Sequence, residues 1–257
     1  MKTFKKDELT VNIFDTRAEM GAAAAAACAE EINRQLAVKP ELNMIFAAAP
    51  SQNEFLAGLV ELGRKGIIDF TRINAYHMDE YIGLAADAPQ GFGNFLRDRL
   101  FALVPFKSVN YIDCSAEDAS AECARYAKLL IENPCDIICM GIGENGHIAF
   151  NDPHVAFFDD PEVVKAVELD QKCRMQQVHD GCFASLDQVP THALTLTIPT
   201  LVRPEAIFCI VPAAAKAEAV KGTVEGPVAE SCPASILRTR KDATLWLDAD
   251  SASLLNK

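Results

Sequence analysis

The sequence predicts an α/β fold: three αβα layers on a mostly parallel, Rossmann-like sheet with helices on both faces. Three observations predict it. Short apolar runs rich in branched residues alternate with longer helical patterns along the chain, the order that gives a parallel sheet covered on both sides. The residues best suited to chemistry stand directly after such runs, where open α/β sheets bind ligands. No internal repeat, linker or low-complexity stretch divides the 257 residues, so residues 1–257 read as a single domain.

The elements follow in order. Asp15-Thr16 is a helix start, and the helix expected over 17–36 contains an unbroken alanine run, Ala22 to Ala27. Alanine is the strongest helix former and lets a helix lie close to a sheet. Residues 42–48 read as a buried strand, 49–52 as a turn, and 53–63 as a helix with apolar residues at Phe55, Leu56, Leu59, Val60 and Leu62. A second strand is expected over 67–75, then a helix from about 90 to 104, a short strand at 109–112, and a helix from the acidic start at 115–118 to about 132. The apolar run 135–140 is a strand. Beyond Pro153 the chain reads as less regular to about 190, with one strand over 163–169. Strands at 191–198, 206–211 and 243–247, and a helix at 212–221, complete the pattern.

The net charge of −12 argues against nucleic acid or an anionic membrane as the main partner, because both are bound by basic surfaces. A small anionic substrate feels only a few nearby groups and stays open. No apolar run approaches the roughly 18 residues of a membrane span. The first residues, Met1 to Glu8, lack an apolar signal core, so a cytoplasmic protein is expected. The nine cysteines show neither a C-x-x-C pair nor a zinc spacing. Most lie in apolar stretches and are read as reduced, buried thiols, with no metal expected.

The densest chemistry lies in Met140 to Pro153, M-G-I-G-E-N-G-H-I-A-F-N-D-P. Gly141, Gly143 and Gly146 let backbone N–H groups approach a ligand closely, because no Cβ intervenes. His147 and Asp152 follow. An imidazole with a carboxylate in reach is held in one tautomer and serves as a base. The glycines also spell G-x-G-x-x-G, but a dinucleotide site needs the last glycine to open a helix packed on the sheet. Pro153 and an Asp- and Pro-rich stretch follow instead, so nicotinamide is set aside. Asp79 and Glu80 follow the second strand and have two readings, an acidic loop in water or a site at the sheet's edge. Ser51 stands at a helix start, which presents free N–H groups and a positive dipole end to an anion; a plain N-cap is the simpler reading. Lys216 lies just inside another helix start, electrostatically out of place unless it reaches an anion; the simpler reading is a solvated surface lysine.

The string G-I-G-E-N-G-H-I-A-F-N-D-P, with M-D-E-Y-I-G-L at 78–84, closely resembles the signatures of the glucosamine-6-phosphate deaminase/isomerase family, which shares a superfamily with 6-phosphogluconolactonases. The resemblance spans about residues 14–247. It implies conversion of an aldose 2-amino-2-deoxy 6-phosphate to the ketose phosphate and ammonia, with neither metal nor organic cofactor. By resemblance, Asp79 shuttles a proton from C2 to C1 through a cis-enolamine. His147, oriented by Asp152 and Asn145, opens the ring. Lys216 and Ser51 bind phosphate, and Gly143, Gly146 and Glu80 complete the substrate site, Glu80 as the more structural member. The expected partner is a small sugar phosphate, and a homo-oligomer stays open.

The chain departs from the family at four points. The phosphate turn Gly-Gly-Thr-Pro is represented by Ala49-Pro50-Ser51, in which Pro50 has no N–H to donate. A phosphate-binding arginine is replaced by about Asp180, leaving Arg174 and Arg97 as candidate substitutes. N-E-P is Asn151-Asp152-Pro153, about one methylene shorter at the carboxylate. Asn145 stands where many members have Asp and still hydrogen-bonds. Three rival readings remain. A 6-phosphogluconolactonase-type hydrolase shares G-x-G-x-D-G-H but not I-A-F-N-D-P or M-D-E-Y. A non-catalytic sugar-phosphate sensor needs a DNA-binding helix-turn-helix, and none is visible here. An enzyme for an aminosugar without phosphate is what the altered turn hints at. The choice between glucosamine and galactosamine is not written in the sequence.

Overall fold

The computed structural model describes residues 1–256. It opens with a hairpin the sequence pattern does not announce. Strands β1 (Lys2–Lys6) and β2 (Leu9–Phe14) pair antiparallel around Asp7, whose φ is 52°. Helix α1 (Arg17–Leu36) starts where expected. Thr16 Oγ1 accepts from the Glu19 N–H and the Glu19 carboxylate accepts from the Thr16 N–H, a capping box. Next come β3 (Leu42–Phe46), α2 (Asn53–Arg64), β4 (Ile73–His77), β5 (Asp79–Tyr81) and α3 (Phe92–Leu96), which winds on as a π-helical turn, Arg97–Phe101. The chain continues through β6 (Ser108–Asn110), α4 (Ala119–Glu132), β7 (Ile137–Met140), β8 (Val164–Glu168), α5 (Gln171–His179) and β9 (His192–Leu196). It ends with α6 (Ile198–Leu201), β10 (Ala206–Val211), α7 (Ala217–Glu225) and β11 (Ala243–Asp248).

Eight strands form the main sheet in the order β1-β2-β11-β10-β7-β3-β4-β6, parallel except for the β1–β2 hairpin. Side chains alternate across it with the two-residue period of a strand. Met44, Phe46, Cys139, Phe208 and Ile210 share one apolar layer with α1 and α2. Ile45, Ile138, Met140, Ile207 and Cys209 share the other with α4 and α7. Burial on both faces explains why these strands read as continuous apolar runs, and it makes the molecule the expected αβα sandwich. The chain builds outward from β3 through β4 to β6, returns to β7 on the other flank of β3, and builds outward again through β10 and β11. The β3/β7 boundary is therefore the switch point of the sheet, where a crevice opens at the strands' carboxyl ends.

A second sheet, β5-β9-β8, is antiparallel throughout. Only Met78 separates β4 from β5, so this sheet grows from the carboxyl edge of the main one. The strand expected over 191–198 exists but belongs here rather than in the main sheet. The strand expected over 67–75 begins later, at Ile73, because Asp69 accepts from the Thr71 N–H and caps a 3-10 turn, Phe70–Arg72. The stretch read as irregular after Pro153 contains α5, capped by Asp170, whose Oδ1 accepts from the Cys173 N–H at 2.7 Å. No helix among the described residues is long and apolar enough to cross a membrane. All nine cysteines are free.

Candidate active site

The four central strands, β10-β7-β3-β4, each end at one cavity. Ser51 and Gln52 follow β3, Asp79 follows β4, Gly141, Gly143 and His147 follow β7, and Lys216 follows β10. Helix α5 adds Gln176 and Gln177, and Phe92 and Phe150 supply apolar wall. The sequence-predicted Asp79, His147, Ser51, Gly143 and Lys216 thus stand around one space, although 165 positions separate the first and last of them (216 − 51). Asn145, Asp152, Gly146 and Glu80 do not line it.

Three of those four residues serve the loop itself. His147 Nδ1 lies 2.7 Å from Asn145 Oδ1 and 3.1 Å from Asp152 Oδ1. Both are acceptors, because Asn145 spends its Nδ2 hydrogens on Asp152 (2.8 Å) and Asp170 (3.2 Å). Nδ1 therefore carries the proton, and Nε2 keeps its lone pair. The shorter carboxylate of Asp152 does reach the imidazole, and its other oxygen accepts from the Asp170 N–H at 3.0 Å. Burial works to raise the Asp152 pKa, but the hydrogen bonds and charge from His147, with the bonds from Asn145 and Asp170, prevail and hold it at about 2. Gly143 is required by contact: a Cβ there would overlap the His147 ring. Gly146 sits at φ 86°, where a side chain is strained, and a Cβ would lie 2.9 Å from Cys232 Sγ.

Asp79 is buried and makes no side-chain hydrogen bond among the described residues. Burial, aided by the charge of Glu80, pushes its pKa well above the carboxylate range. His77 fixes its backbone. His77 Nε2 accepts from the Ile112 N–H at 2.9 Å, so Nδ1 carries the proton and donates to the Asp79 carbonyl at 3.0 Å. Burial lowers the His77 pKa to about 4, so the ring stays neutral in this clamp. Glu80, counted above with the substrate site, points elsewhere. Its carboxylate accepts from the backbone N–H groups of Tyr81 (2.9 Å), Phe92 (3.0 Å) and Gly93 (2.8 Å), closing the start of α3. Burial raises it to about 7 against the pull of those donors. Residue type alone does not distinguish the two neighbouring acids; the resemblance made Glu80 the more structural one, and the period of β5, which turns adjacent side chains to opposite faces, gives the physical reason.

The far end of the cavity is built differently. Ser51 lies in a 3-10 turn, Pro50–Gln52, that leads into α2, and its Oγ accepts from Gln52 Nε2 at 3.1 Å. Lys216 is buried yet has no hydrogen-bond or ion-pair partner among the described residues; burial lowers its pKa, opposed by the charges of Asp180 and Glu144. Neither proposed substitute for the arginine is here. Arg174 donates to the Leu186 and Val189 carbonyls, and Arg97 pairs with Asp98 and Asn94 at the surface. Asp180 is an exposed C-cap of α5. The residues of that helix that face the cavity are Gln176 and Gln177. No motif in the sequence singles them out.

Two groups of metal-ligating side chains approach one another, His147 with Asp152 and Cys173, and Asp152 with His154 and Asp170. In the first group His147 Nδ1–H already faces the Asp152 carboxylate at 3.1 Å. Burial and the carboxylates of Asp152 and Asp170 push the Cys173 thiol far above its ordinary pKa.

An imidazole in a fixed tautomer and a buried acid of raised pKa, facing one crevice at the switch point of a parallel sheet, define an acid–base site of the α/β class. Residues 15–246 match the family of glucosamine-6-phosphate isomerases/6-phosphogluconolactonase, and the chain belongs to that family. A glucosamine-6-phosphate deaminase of Listeria innocua serovar 6a is 38% identical over 216 residues, 84% of this chain and 88% of that protein. One from Streptococcus pneumoniae strain 70585 is 36% identical over 211 residues, 82% and 86% of the two chains. The solved structure of a monomeric glucosamine-6-phosphate deaminase superposes with a TM-score of 0.86 at 31% identity, covering 95% of this chain and 99% of that one. A 6-phosphogluconolactonase of Thermotoga maritima shares the fold at a TM-score of 0.74 and 16% identity, covering 93% and 99%.

Proposed function

We propose that this protein is a deaminating aldose–ketose isomerase of hexosamine 6-phosphates, releasing ketose 6-phosphate and ammonia. The observation that carries the reading is that His147 and Asp79, held by different strands, line one cavity. In this reading His147 Nε2 takes the proton from O1 of the ring-closed sugar and returns it to O5, opening the ring. Asp152 and Asn145 hold the imidazole and balance its transient charge. Asp79 then removes the hydrogen from C2 and delivers it to C1. The nitrogen gives up a proton and O1 gains one, so the C1 aldehyde becomes a hydroxymethyl group and the C2 amine an imine. Water adds to the imine and ammonia leaves, giving the ketose. A carboxylate made more basic by burial suits removal of a proton from carbon. Gly143 gives the imidazole room and Gly146 turns the loop, while Lys216 and Ser51 face the far end of the sugar.

All these residues belong to one chain, and both core layers draw on segments from near either end of it, which supports a single acting domain. Free thiols throughout support a cytoplasmic setting. The test is direct. The purified protein should release ammonia from glucosamine 6-phosphate or galactosamine 6-phosphate and leave 6-phosphogluconolactone untouched; hydrolysis of the lactone without ammonia release would replace this reading with the hydrolase one.

A further inference from the structure

The far end of the cavity is poor in charge. Lys216 is the one lysine or arginine in its lining. The turn that faces it begins with Pro50, which offers no N–H. Arg17 reaches this turn but is spent there: it donates to the Pro50 carbonyl and pairs with Glu54 at 2.7 Å. The other polar groups are neutral. Gln52 Nε2 is committed to the Ile210 carbonyl (3.0 Å) and Ser51, and Gln176 Oε1 to the Glu144 N–H (2.8 Å). The Gln177 side chain is buried and without a partner among the described residues. Asp180 and Glu144 lie close enough to Lys216 to act on its charge, and both repel an anion.

Beyond the turn the surroundings stay uncharged. A second cavity of about 320 Å³ shares Ala48, Ala49, Phe92 and Gln177 with the first, and its remaining wall, which includes Pro50, Pro89 and Phe95, has no charged side chain. A phosphate dianion taken out of water needs several charge-assisted donors to offset its desolvation. One lysine, two carboxylates and a set of amides do not supply them. A single negative charge on Lys216, or a hydroxyl on the amides, fits this lining.

We infer that, beside hexosamine 6-phosphates, the site accepts 2-amino-2-deoxy sugars whose far end carries at most one negative charge, a carboxylate or a plain hydroxymethyl group, so that the 6-phosphate is dispensable. This rests on the isomerase reading above and extends its substrate class. The test compares kcat/KM for ammonia release by the full-length protein from glucosamine 6-phosphate, glucosamine and 2-amino-2-deoxyglucuronate. At least one unphosphorylated sugar should come within about 100-fold of the phosphate, the span of two charge-assisted hydrogen bonds at the weak end of their range. If both fall further below, the inference is overturned while the isomerase reading stands. If no sugar yields ammonia, the isomerase reading itself fails. A second variant asks the converse. Gln177→Arg adds the missing charge, so it should lower the KM for glucosamine 6-phosphate relative to that for glucosamine by about tenfold; an unchanged ratio would count against the inference.

Discussion

The two ends of the cavity solve opposite problems. At the central loop, His147, Asn145, Asp152 and Asp170 close a network in which the donors and acceptors that orient the imidazole are met within the protein. Around the rest of the cavity, Asp79, Lys216 and Gln177 are buried with side chains that meet no partner among the described residues. A satisfied network is rigid and adds to stability; unpaired buried polar groups cost stability and wait for a ligand. Substitutions at the loop should therefore damage folding and turnover together, and substitutions among the unpaired groups should damage turnover alone.

The sharpest way to break this comparison is Asp79→Asn. Loss of the carbon acid–base step should lower kcat by about 10³-fold or more. The raised pKa of Asp79 makes its folded-state stability greatest when protonated and lost as pH rises through the folded value. Removing the charge should therefore leave the Tm at pH 8 unchanged or higher. A large drop in Tm would place Asp79 with the satisfied groups. Asp152→Asn should do the reverse at lower cost to rate, about 10²-fold in kcat. It should also lose about 2 kcal/mol of stability at pH 7, from a carboxyl held near 2 rather than 3.8. That pKa is depressed, so the wild-type contribution is present above about pH 4 and fades as pH falls toward 2, and urea melts across this range would show it.

Gly143→Ala tests the loop by contact alone. Displacing the imidazole should cost about 10- to 100-fold in kcat and lower the Tm as well, since the ring it overlaps is held by Asn145 and Asp152. The smallest effect is expected of Lys216→Met. A KM rise of about tenfold for an anionic substrate, with no loss of Tm, is the outcome for a buried cation without a partner.

The same contrast explains what the sequence disclosed. The loop end is contiguous: glycines, imidazole and carboxylate lie within Gly141 to Asp152, so their spacing could be read directly. The central strands were legible because both faces are buried and most positions are apolar. The far end is assembled from separate elements, and its helix α5 has no apolar stripe. Its buried face is Cys173, Gln176 and Gln177, so hydrophobic periodicity could not find the helix or the glutamine that faces the cavity. The β1–β2 hairpin was hidden for a related reason, since β1 is an edge strand of mostly lysine and exposed positions. The small sheet at β5 was invisible because it is set by pairing with β9, 113 positions later (192 − 79).

The account depends on Asp79 moving a carbon-bound hydrogen on the sugar that His147 opens. The C2 hydrogen of the aminosugar, followed by proton NMR in D2O with wild type and with Asp79→Asn, tests this most directly. Wild type should lose that hydrogen in step with ammonia release, and the folded Asp79→Asn protein should leave it in place while substrate still raises its Tm. Loss of the C2 hydrogen at the wild-type rate in the variant would contradict the account.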